Sequence, residues 1–468
     1  MPRVSRVSRL LGAAGALAAL GLAGCSLGPA YHRPVIRAPA AWQTRIERAP
    51  ATWPSADWWR GFHSPELVQL IGEASRANDD LAAAVARVHE AEAEVTVQSA
   101  PLFPSVDGSF TGERQKSYIP STGAGTVLYN EFSAEIQASY ELDFWGKNRA
   151  IRAAALATEA ANRYDRATVE LTVMSDVATA YFSVLALNDR LRIARDNLAA
   201  AQKTLRGLTI DENVGTTTSL DVAQQATTVA TLSAAIPPLL QQRQQQLDAL
   251  AVLVGKTPEE LEVTGSTLAS LSPPPLSTGI PSGLLARRPD VAEAEAQLIA
   301  ANANIRAARA AFFPTIDLTA AGGDESAALR SLLTPGSAVF SLSGGVTQPI
   351  FHAGAILGEY RLSKAQYAEL LADYHKAVIS AFGNVEDALA GVEQTHDEQR
   401  REKVAVDRAS KAYDLSQREF HAGTINILTV LSTETALFTA EDAYAQVKLA
   451  RLQALVGLYS ALGGGWHR

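Results

Sequence analysis

The sequence predicts an α+β membrane protein built from two internal repeats, each combining long antiparallel α-helices with one β-hairpin. Three observations predict this fold: an N-terminal export segment, landmarks that recur at an offset of 208 to 210 residues, and alternating strands between alanine-rich helical stretches. The 468 residues are 47% hydrophobic and 19% charged, which is typical of a folded chain. The net charge of −8 has the wrong sign for a nucleic-acid partner.

Residues 1–24 have the pattern of a secretory signal peptide. Three arginines precede an apolar run that is too short to span a bilayer as a helix. The run ends in Leu22-Ala23-Gly24-Cys25, which resembles a bacterial lipobox, so we expect cleavage between Gly24 and Cys25 and acylation of Cys25, with palmitate among the acyl chains. Cys25 is the only cysteine; the alternative is an ordinary buried thiol. Residues 25–60 then predict a lipidated, extended arm.

The remaining chain contains an internal repeat of two units. Landmarks in the first half recur in the second: Asp80 with Asp290, Asp107 with Asp317, Gly146 with Gly354, and Gly215 with Gly423. Such a constant offset indicates two copies of one structural unit. We therefore place repeat 1 at residues 61–255, a Pro- and Ser-rich linker at 256–282, repeat 2 at 283–463, and a C-terminal tail, freed by a glycine run, at 464–468.

Each repeat contains one very long helical stretch, at residues 147–207 and 355–422. Both are rich in alanine, with apolar residues at spacings of three and four, which predicts close helix-on-helix packing along their length. Pro237 and Pro238 predict a break in the next helix of repeat 1, and repeat 2 has no equivalent.

Each repeat also contains a hairpin, at residues 105–144 and 315–348. Residues 132–144 alternate between apolar and polar side chains without exception. The polar positions Glu135, Gln137, Glu141 and Asp143 are expected to face a barrel lumen. Aromatic residues flank the strands, as they do at membrane interfaces: Phe103, Phe144, Trp145, Phe312, Phe313 and Phe351. A soluble sheet with one wet face is the alternative.

Four strands in a membrane require partner chains. A sheet in lipid must close, because an open edge leaves backbone groups without hydrogen bonds, and closed bacterial barrels begin at about eight strands. Several copies of the chain are therefore expected to share one barrel.

The chain resembles the outer-membrane factors, the TolC-like channels of tripartite efflux pumps, and in particular their NodT-type lipoproteins. The resemblance runs through nearly the whole mature chain. Its residues include the lipobox, Tyr140-Glu141-Leu142-Asp143-Phe144-Trp145-Gly146, Leu284-Leu285-Ala286-Arg287-Arg288-Pro289-Asp290, Ala310-Ala311-Phe312-Phe313-Pro314 and Pro349-Ile350-Phe351 with Gly354.

The resemblance implies a homotrimer with a twelve-stranded transmembrane β-barrel in the outer membrane and a helical barrel in the periplasm. Each chain would contribute four strands. It also implies a passive exit duct for drugs and toxic compounds. An inner-membrane transporter, of the resistance-nodulation-division type, and a periplasmic adaptor would hand the solutes over.

In that family, two helix-turn-helix tips close the tube and dock the adaptor. By the match, the tips lie at residues 211–221 and 421–429. The candidate tip residues are Asp211, Glu212, Gly215, Thr216, Leu220, Asp221, Arg418, Gly423, Thr424 and Leu428. Asp211, Glu212 and Asp221 are candidates for an acidic ring at the constriction. The sequence departs from the family at Ile210, where the second half has Arg418.

Other functions are less well supported by the residues. The eight histidines are scattered without metal-ligand spacing, and no motif indicates a cofactor other than the lipid on Cys25, so we predict no metal site and no enzyme. A duct for type I protein secretion uses the same architecture. A structural envelope tether explains the anchor and the helices, but not the alternating strands.

Overall fold

A computed structural model describes residues 28, 30–44, 53–118, 126–274 and 278–467. The signal peptide and Cys25 lie outside the described residues. The chain divides into two compact units, each assembled from separate stretches of sequence. The first contains residues 88–162 and 294–374 with the arm up to residue 34, and the second contains residues 35–87, 163–293 and 375–468.

Both repeats run in the predicted order of helix, hairpin, long helix, turn and helix. The helices of repeat 1 and the linker are α1 Pro65–Ala77, α2 Asp79–Ser99, α3 Lys147–Asn213, α4 Ser219–Ala234, α5 Ile236–Leu253 and the short α6 Pro281–Leu284. Those of repeat 2 are α7 Pro289–Ala310, α8 Ala355–His421 and α9 Ile427–Ala461. The strands are β1 Ser105–Tyr118, β2 Thr126–Glu141, β3 Thr315–Ser326 and β4 Ala338–Thr347.

The predicted break in repeat 1 lies between α4 and α5. Helix α4 ends at Ala234 and α5 begins at Ile236, directly before Pro237 and Pro238. Proline lacks the backbone N–H that an uninterrupted helix needs and is tolerated only in a first turn. The corresponding helix α9 contains no proline and runs for 35 residues, so the prediction of unequal repeats is confirmed.

Small side chains form the helical core of the first unit. Ala154 and Ala157 of α3 pack against Ala300 and Ala303 of α7. Alanine at all four positions allows the two helix backbones to approach closely. The N-terminal arm binds to the same helix α7, where Arg33 Nη2 lies 2.8 Å from the buried Glu295 Oε2.

Aromatic rings form much of the core of the second unit. The Phe62 and Phe182 rings are fully buried with their centroids 4.9 Å apart. Trp58 stacks on Tyr459 with centroids 5.4 Å apart. The linker is bound to this core through Glu66, whose carboxylate accepts hydrogen bonds from the Thr264 N–H at 2.6 Å and the Gly265 N–H at 2.9 Å.

The glycine run before the C-terminus does not free a tail, and that prediction is wrong. Gly463, Gly464 and Gly465 all have positive φ angles. A Cβ atom on Gly463 would lie 1.9 Å from the Arg287 carbonyl oxygen, and one on Gly465 would lie 2.4 Å from the Ser55 carbonyl carbon. The run is therefore a place where backbones pack against one another.

The four strands form one antiparallel sheet in the order β1-β2-β3-β4. Strand β2 of repeat 1 pairs with β3 of repeat 2, so the two repeats meet inside the sheet.

Candidate functional site

The register of the sheet separates a polar face from an apolar face. Asp107 pairs with Gln137, Glu141 pairs with Asp317, and Thr319 pairs with Ser343. Since paired residues point to the same side, one face collects the polar positions of all four strands. Ile136 and Phe340 lie on the other face and are 63% and 89% exposed. An apolar face of this kind matches lipid rather than water.

The two outer strands of this sheet each have an unpaired edge. Within the described ranges, strand β1 pairs only with β2, and β4 pairs only with β3. Strand β4 is exposed along its whole length. An open edge exposes N–H and C=O groups that can pair with another chain.

Two of the predicted lumen residues have local partners at the base of the sheet. The Asp143 carboxylate accepts hydrogen bonds at 2.9 Å from the N–H groups of both Asn148 and Arg149, in the first turn of α3. It also pairs with Arg149 Nε at 3.0 Å. Asp143 therefore caps a helix start, and its assignment to the lumen is wrong because β2 ends at Glu141. Glu141 forms an ion pair with Lys147.

Glu135 and Gln137 lie on the polar face of the sheet, and their position in a barrel lumen stays a prediction. Their pairing partners on β1 are Ser109 and Asp107. Asp107 and Asp317 lie on this face as well; neither was among the expected lumen residues, although the strict alternation of β1 and β3 could have placed them there.

The flanking aromatic residues divide into two groups. Phe103, Phe144, Phe312 and Phe351 are exposed, at 69%, 45%, 38% and 84%. Trp145 and Phe313 instead stack on each other with centroids 4.8 Å apart, and Trp145 donates to the Pro314 carbonyl oxygen at 2.8 Å. These two rings fix the two hairpins together below the strands.

The two helix-turn-helix tips have the same backbone geometry. Gly215 and Gly423 have φ angles of +81° and +71°. The next residue, Thr216 or Thr424, donates from its N–H and its hydroxyl to the carbonyl oxygen five residues earlier, on Asp211 or Glu419. Only glycine adopts this left-handed conformation without strain, and the threonine closes the helix end.

Asp221, one of the proposed ring acids, stabilises the start of α4. Its carboxylate accepts hydrogen bonds from the Thr218 hydroxyl at 2.7 Å, the Thr218 N–H at 3.1 Å and the Thr217 hydroxyl at 3.0 Å. The Thr218 hydrogen bonds, with that of Thr217, hold the pKa of Asp221 below its usual range. Asp221 and Thr218 form a reciprocal capping box.

The other two ring candidates differ in their surroundings. Glu212 accepts a hydrogen bond from the Ser219 hydroxyl at 2.5 Å. The side chain of Asp211 lies on the partly exposed surface of the tip, while its backbone carbonyl closes the turn. Arg418 is exposed.

An apolar cluster holds the two tips together. Leu208 of α3 packs with Ile427 and Val430 of α9, and Val222 and Phe420 cover them. Four apolar side chains at or beside the tips lie outside the cluster: Ile210, Val214, Leu220 and Leu428 are 64%, 69%, 65% and 51% exposed. The tips therefore present an apolar surface next to the Asp211 and Glu212 carboxylates.

One turn beyond this cluster lies a buried polar group that no sequence pattern pointed to. Glu434 of α9 is 2% exposed and Gln225 of α4 is fully buried. No local motif marks either residue, because a single Glu or Gln in a helix is ordinarily solvated.

Across the described ranges, no group of three His, Cys, Asp or Glu side chains is placed to hold a metal ion. Among the described helices, α3 alone contains a segment long and apolar enough to span a bilayer, and half of that segment is buried in the fold.

Comparison with known proteins gives one consistent family. The sequence profile described as "Outer membrane efflux protein" matches residues 70–256 and 280–464, which repeats the offset of the two halves. The pyoverdine export outer membrane protein OpmQ of Pseudomonas aeruginosa is 40% identical over 456 residues, with 96% of each chain covered. The probable efflux pump outer membrane protein TtgC of Pseudomonas putida is 32% identical over 467 residues, covering 97% of this chain and 95% of TtgC.

Solved structures agree with these relatives. The outer-membrane channel OprN superposes with a TM-score of 0.90 at 25% identity, covering 94% of this chain and 100% of OprN. The open state of the MtrE outer membrane channel of Neisseria gonorrhoeae superposes with a TM-score of 0.85 at 29% identity, covering 94% of this chain and 98% of MtrE.

Proposed function

Because the chain belongs to the family of outer membrane efflux proteins, we propose that three copies form one lipid-anchored duct and that its tips receive solutes from an adaptor. The chain is an outer-membrane channel of a tripartite efflux system. Separate observations support its trimeric assembly, its lipid anchor, its partners and its cargo.

The observation that carries the assembly is the sheet with two open edges and one apolar face. Pairing β4 of one copy with β1 of the next satisfies both edges, and three copies give twelve strands, enough for a closed barrel. Chemical crosslinking of the detergent-extracted protein is expected to trap a species of three chains. A chain that stays monomeric in membranes would contradict the proposal.

The lipid anchor on Cys25 is supported by the lipobox Leu22-Ala23-Gly24-Cys25, and the described part of the arm that follows is held by contacts of its own. Gly28 packs against Arg306 of α7, where an added Cβ would meet the arginine Cγ at 2.4 Å, and Arg33 pairs with Glu295. Wild type is expected to incorporate labelled palmitate, and Cys25→Ser is expected to incorporate none. Equal labelling of the two would refute the anchor.

The exposed apolar residues of the tips are the proposed docking surface for the periplasmic adaptor. A photocrosslinking amino acid at Leu220 or Leu428 is expected to capture the adaptor in cells. The same amino acid at Ile379, which is 66% exposed but 44 residues before Gly423, is the control. Capture from Ile379 alone would place docking elsewhere.

We further propose that the inner-membrane transporter is of the resistance-nodulation-division type. Crosslinked complexes purified through the channel, with their subunits identified by mass spectrometry, test this directly. Recovery of an ATP-binding cassette transporter instead would overturn that assignment and leave the adaptor proposal standing.

The proposed cargo is a small molecule of the pyoverdine kind, since OpmQ is named for pyoverdine export and is 40% identical to this chain. Expression in a Pseudomonas aeruginosa strain without OpmQ is expected to restore pyoverdine to the medium. If the chain instead restored only solvent or antibiotic tolerance to a Pseudomonas putida strain without TtgC, the cargo would be of that second kind. We propose no catalytic step and no cofactor in the duct.

Asp211 is the tip acid best placed to act on passing ions. Asp221 is occupied as a helix cap, and Glu212 is bonded to Ser219. In planar bilayers Asp211→Asn is expected to lower cation selectivity. Asp221→Asn is a poor test of a gate, because it removes the capping box as well as a charge. Unchanged selectivity in Asp211→Asn would exclude a role for this acid.

A further inference from the structure

Glu434 and Gln225 form a buried polar pair two helical turns beyond the tips. Glu434 is the eighth residue of α9 and Gln225 is the seventh residue of α4. Both are buried, and the two side chains are within interaction range of each other. Seven residues of helix rise about 10 Å, so the pair lies directly behind the turns.

Each member of the pair has an oxygen atom without a hydrogen-bond partner in the part of the chain that the structure describes. In Glu434 the atom is Oε2, and in Gln225 it is Oε1. The Gln225 amide cannot reverse to remedy this, because its Nε2 donates to the Ala201 carbonyl at 2.8 Å. Two buried acceptors without a donor are costly, at about 1–3 kcal/mol each.

A proton on Glu434 removes this conflict. A carboxylic acid is a donor as well as an acceptor, so a protonated Oε2 supplies a hydrogen bond to the otherwise unpaired amide oxygen. The other carboxyl oxygen already accepts a weak hydrogen bond from the Tyr413 hydroxyl at 3.4 Å. With the proton present, all four helices around the pair are joined by one hydrogen-bonded group.

Among the described residues that act on the Glu434 carboxyl, none carries a charge that would stabilise the ionised form. Helix α3 contributes the Ala201 carbonyl and Thr204, and α8 contributes Tyr413, whose hydroxyl is also within reach of Gln417. Ser416 and Thr433 bond to each other at 2.7 Å. Of the described groups that shift the pKa of Glu434, Tyr413 is the one titratable group, and it is neutral at physiological pH.

We propose that Glu434 is a proton-binding site that latches α9 to α4 behind the tips, and that loss of its proton loosens the tips and opens the channel. The opening step rests on the proposed role of the tips as the gate; the proton site itself does not. Proton binding here takes one proton from the periplasm and returns it there, without any other reactant.

The sign of the pH effect follows from burial. Burial raises the pKa of the Glu434 carboxyl above 4.5, and the Tyr413 hydroxyl and the neighbouring Gln225 amide partly offset that rise. The contribution to stability is therefore complete below the unfolded pKa and is lost as the pH rises through the folded pKa. The latch is expected to hold at acidic pH and to release as the periplasm becomes more alkaline.

Infrared titration of the purified channel tests the proton site alone. The band of protonated carboxylic acids is measured from about pH 4.5 to pH 8 in wild type and in Glu434→Gln. Wild type is expected to retain one more protonated carboxyl per chain than the variant above the pH at which exposed glutamates ionise. Equal bands at every pH in that range would overturn the proton site.

Resting conductance in planar bilayers tests the coupling to the tips. Wild-type conductance is expected to rise with pH, by up to about tenfold for each unit by which the pKa differs between shut and open channels. Glu434→Gln, which keeps the shape and the donor, is expected to stay at the low-pH level throughout. Glu419→Gln, which removes an exposed carboxylate from the second tip, is the control and should keep the wild-type profile.

Tyr413→Phe gives an opposite prediction that misfolding cannot imitate. The Tyr413 hydroxyl lowers the pKa of Glu434, so its removal is expected to move the conductance transition to higher pH without abolishing it. A pH profile in Glu434→Gln equal to that of wild type would overturn the coupling. If that conductance result came with the expected infrared difference between wild type and Glu434→Gln, Glu434 would still bind a proton, but the proton would not control the opening of the tips.

Discussion

The guanidinium of Arg288 forms a two-point contact with the carboxylate of Asp290, with Nε 3.0 Å from Oδ1 and Nη2 2.6 Å from Oδ2. Its third nitrogen, Nη1, donates to the Ala461 carbonyl at 3.0 Å. Arg288 is 9% exposed. One side chain thus joins the beginning of α7 to the end of α9, the first and last long helices of repeat 2.

Arg288→Lys is expected to destabilise the fold although it preserves the charge. Lysine offers one ammonium group in place of the planar fork, so the Asp290 and Ala461 oxygens cannot all be satisfied. We expect a loss of about 2 kcal/mol, measured by thermal or denaturant unfolding. Arg400→Lys, in an exposed pair with Asp397, is the control and should change little. Equal effects of the two substitutions would contradict the role of the fork.

Glu293, the fifth residue of α7, makes the stability of the second unit dependent on pH. Burial, followed by the charges of Asp165 and Asp290, raises its pKa to about 7, while Arg87 acts in the opposite direction. The unfolded chain has the ordinary value of 4.5. The difference in unfolding free energy between wild type and Glu293→Gln therefore favours wild type most below pH 4.5. Wild type loses that advantage as the pH rises to about 7, and the difference stays constant at higher pH.

At pH 8 Glu293→Gln is thus expected to unfold at a higher temperature than wild type. Since the side chain is only half-buried, solvent screening reduces the effect, and about 1 kcal/mol is expected. Glu393→Gln, on the exposed surface of α8, is the matched control. A Glu293→Gln difference that stays constant between pH 4 and pH 8 would rule out titration of this group as the cause.

The sequence predicts most of the fold because the repeated unit has strong local signals. Proline at 237, glycine at 215 and 423, and the period-two alternation of β2 each determine local backbone geometry, and all three predictions are confirmed. Asp143 was misassigned because alternation continues for three residues, to Phe144, after the strand has ended at Glu141. The start of α3, which lies beside it in the fold, decides what that carboxylate binds.

Residues whose role depends on distant contacts could not be predicted. Glu434 and Gln225 are 209 positions apart in the chain, and each looks like an ordinary surface residue of a polar helix. The glycine run at 463–465 suggested flexibility. Glycine is instead required there because the backbone of the run lies close to the backbone of Arg287 and Ser55. Composition alone cannot distinguish these two uses of glycine.

Gly463 is accordingly expected to reject any side chain. It has φ of +87°, and a Cβ would lie 1.9 Å from the Arg287 carbonyl oxygen. Gly463→Ala should cost about 2 kcal/mol or more in the free energy of unfolding. Gly457→Ala, inside α9 with nothing within 4 Å of the added atom, should instead stabilise the helix by about 0.5–1 kcal/mol. If both substitutions shifted the melting temperature in the same direction, close packing at Gly463 would be excluded.

Gly323 occupies the seam at which the two repeats share a sheet. It pairs with Glu135 across the β2–β3 junction, and an added Cβ would lie 2.0 Å from the Ala134 carbonyl oxygen and 2.7 Å from the Glu135 Cα. Since both of these atoms belong to backbone, only a separation of the strands relieves the clash, and separation breaks ladder hydrogen bonds.

Gly323→Ala is therefore expected to reduce the yield of folded barrel, measured as the fraction that resists unfolding in detergent before heating. The adjacent Gly322→Ala is the matched control, because its added atom meets only the Val339 carbonyl oxygen at an ordinary 3.9 Å. A full yield from Gly323→Ala would mean that β2 and β3 do not approach this closely in the membrane. If both substitutions reduced the yield of folded barrel equally, the cause would be a general effect of replacing glycine in a strand, and not the close approach of β2 and β3 at Gly323.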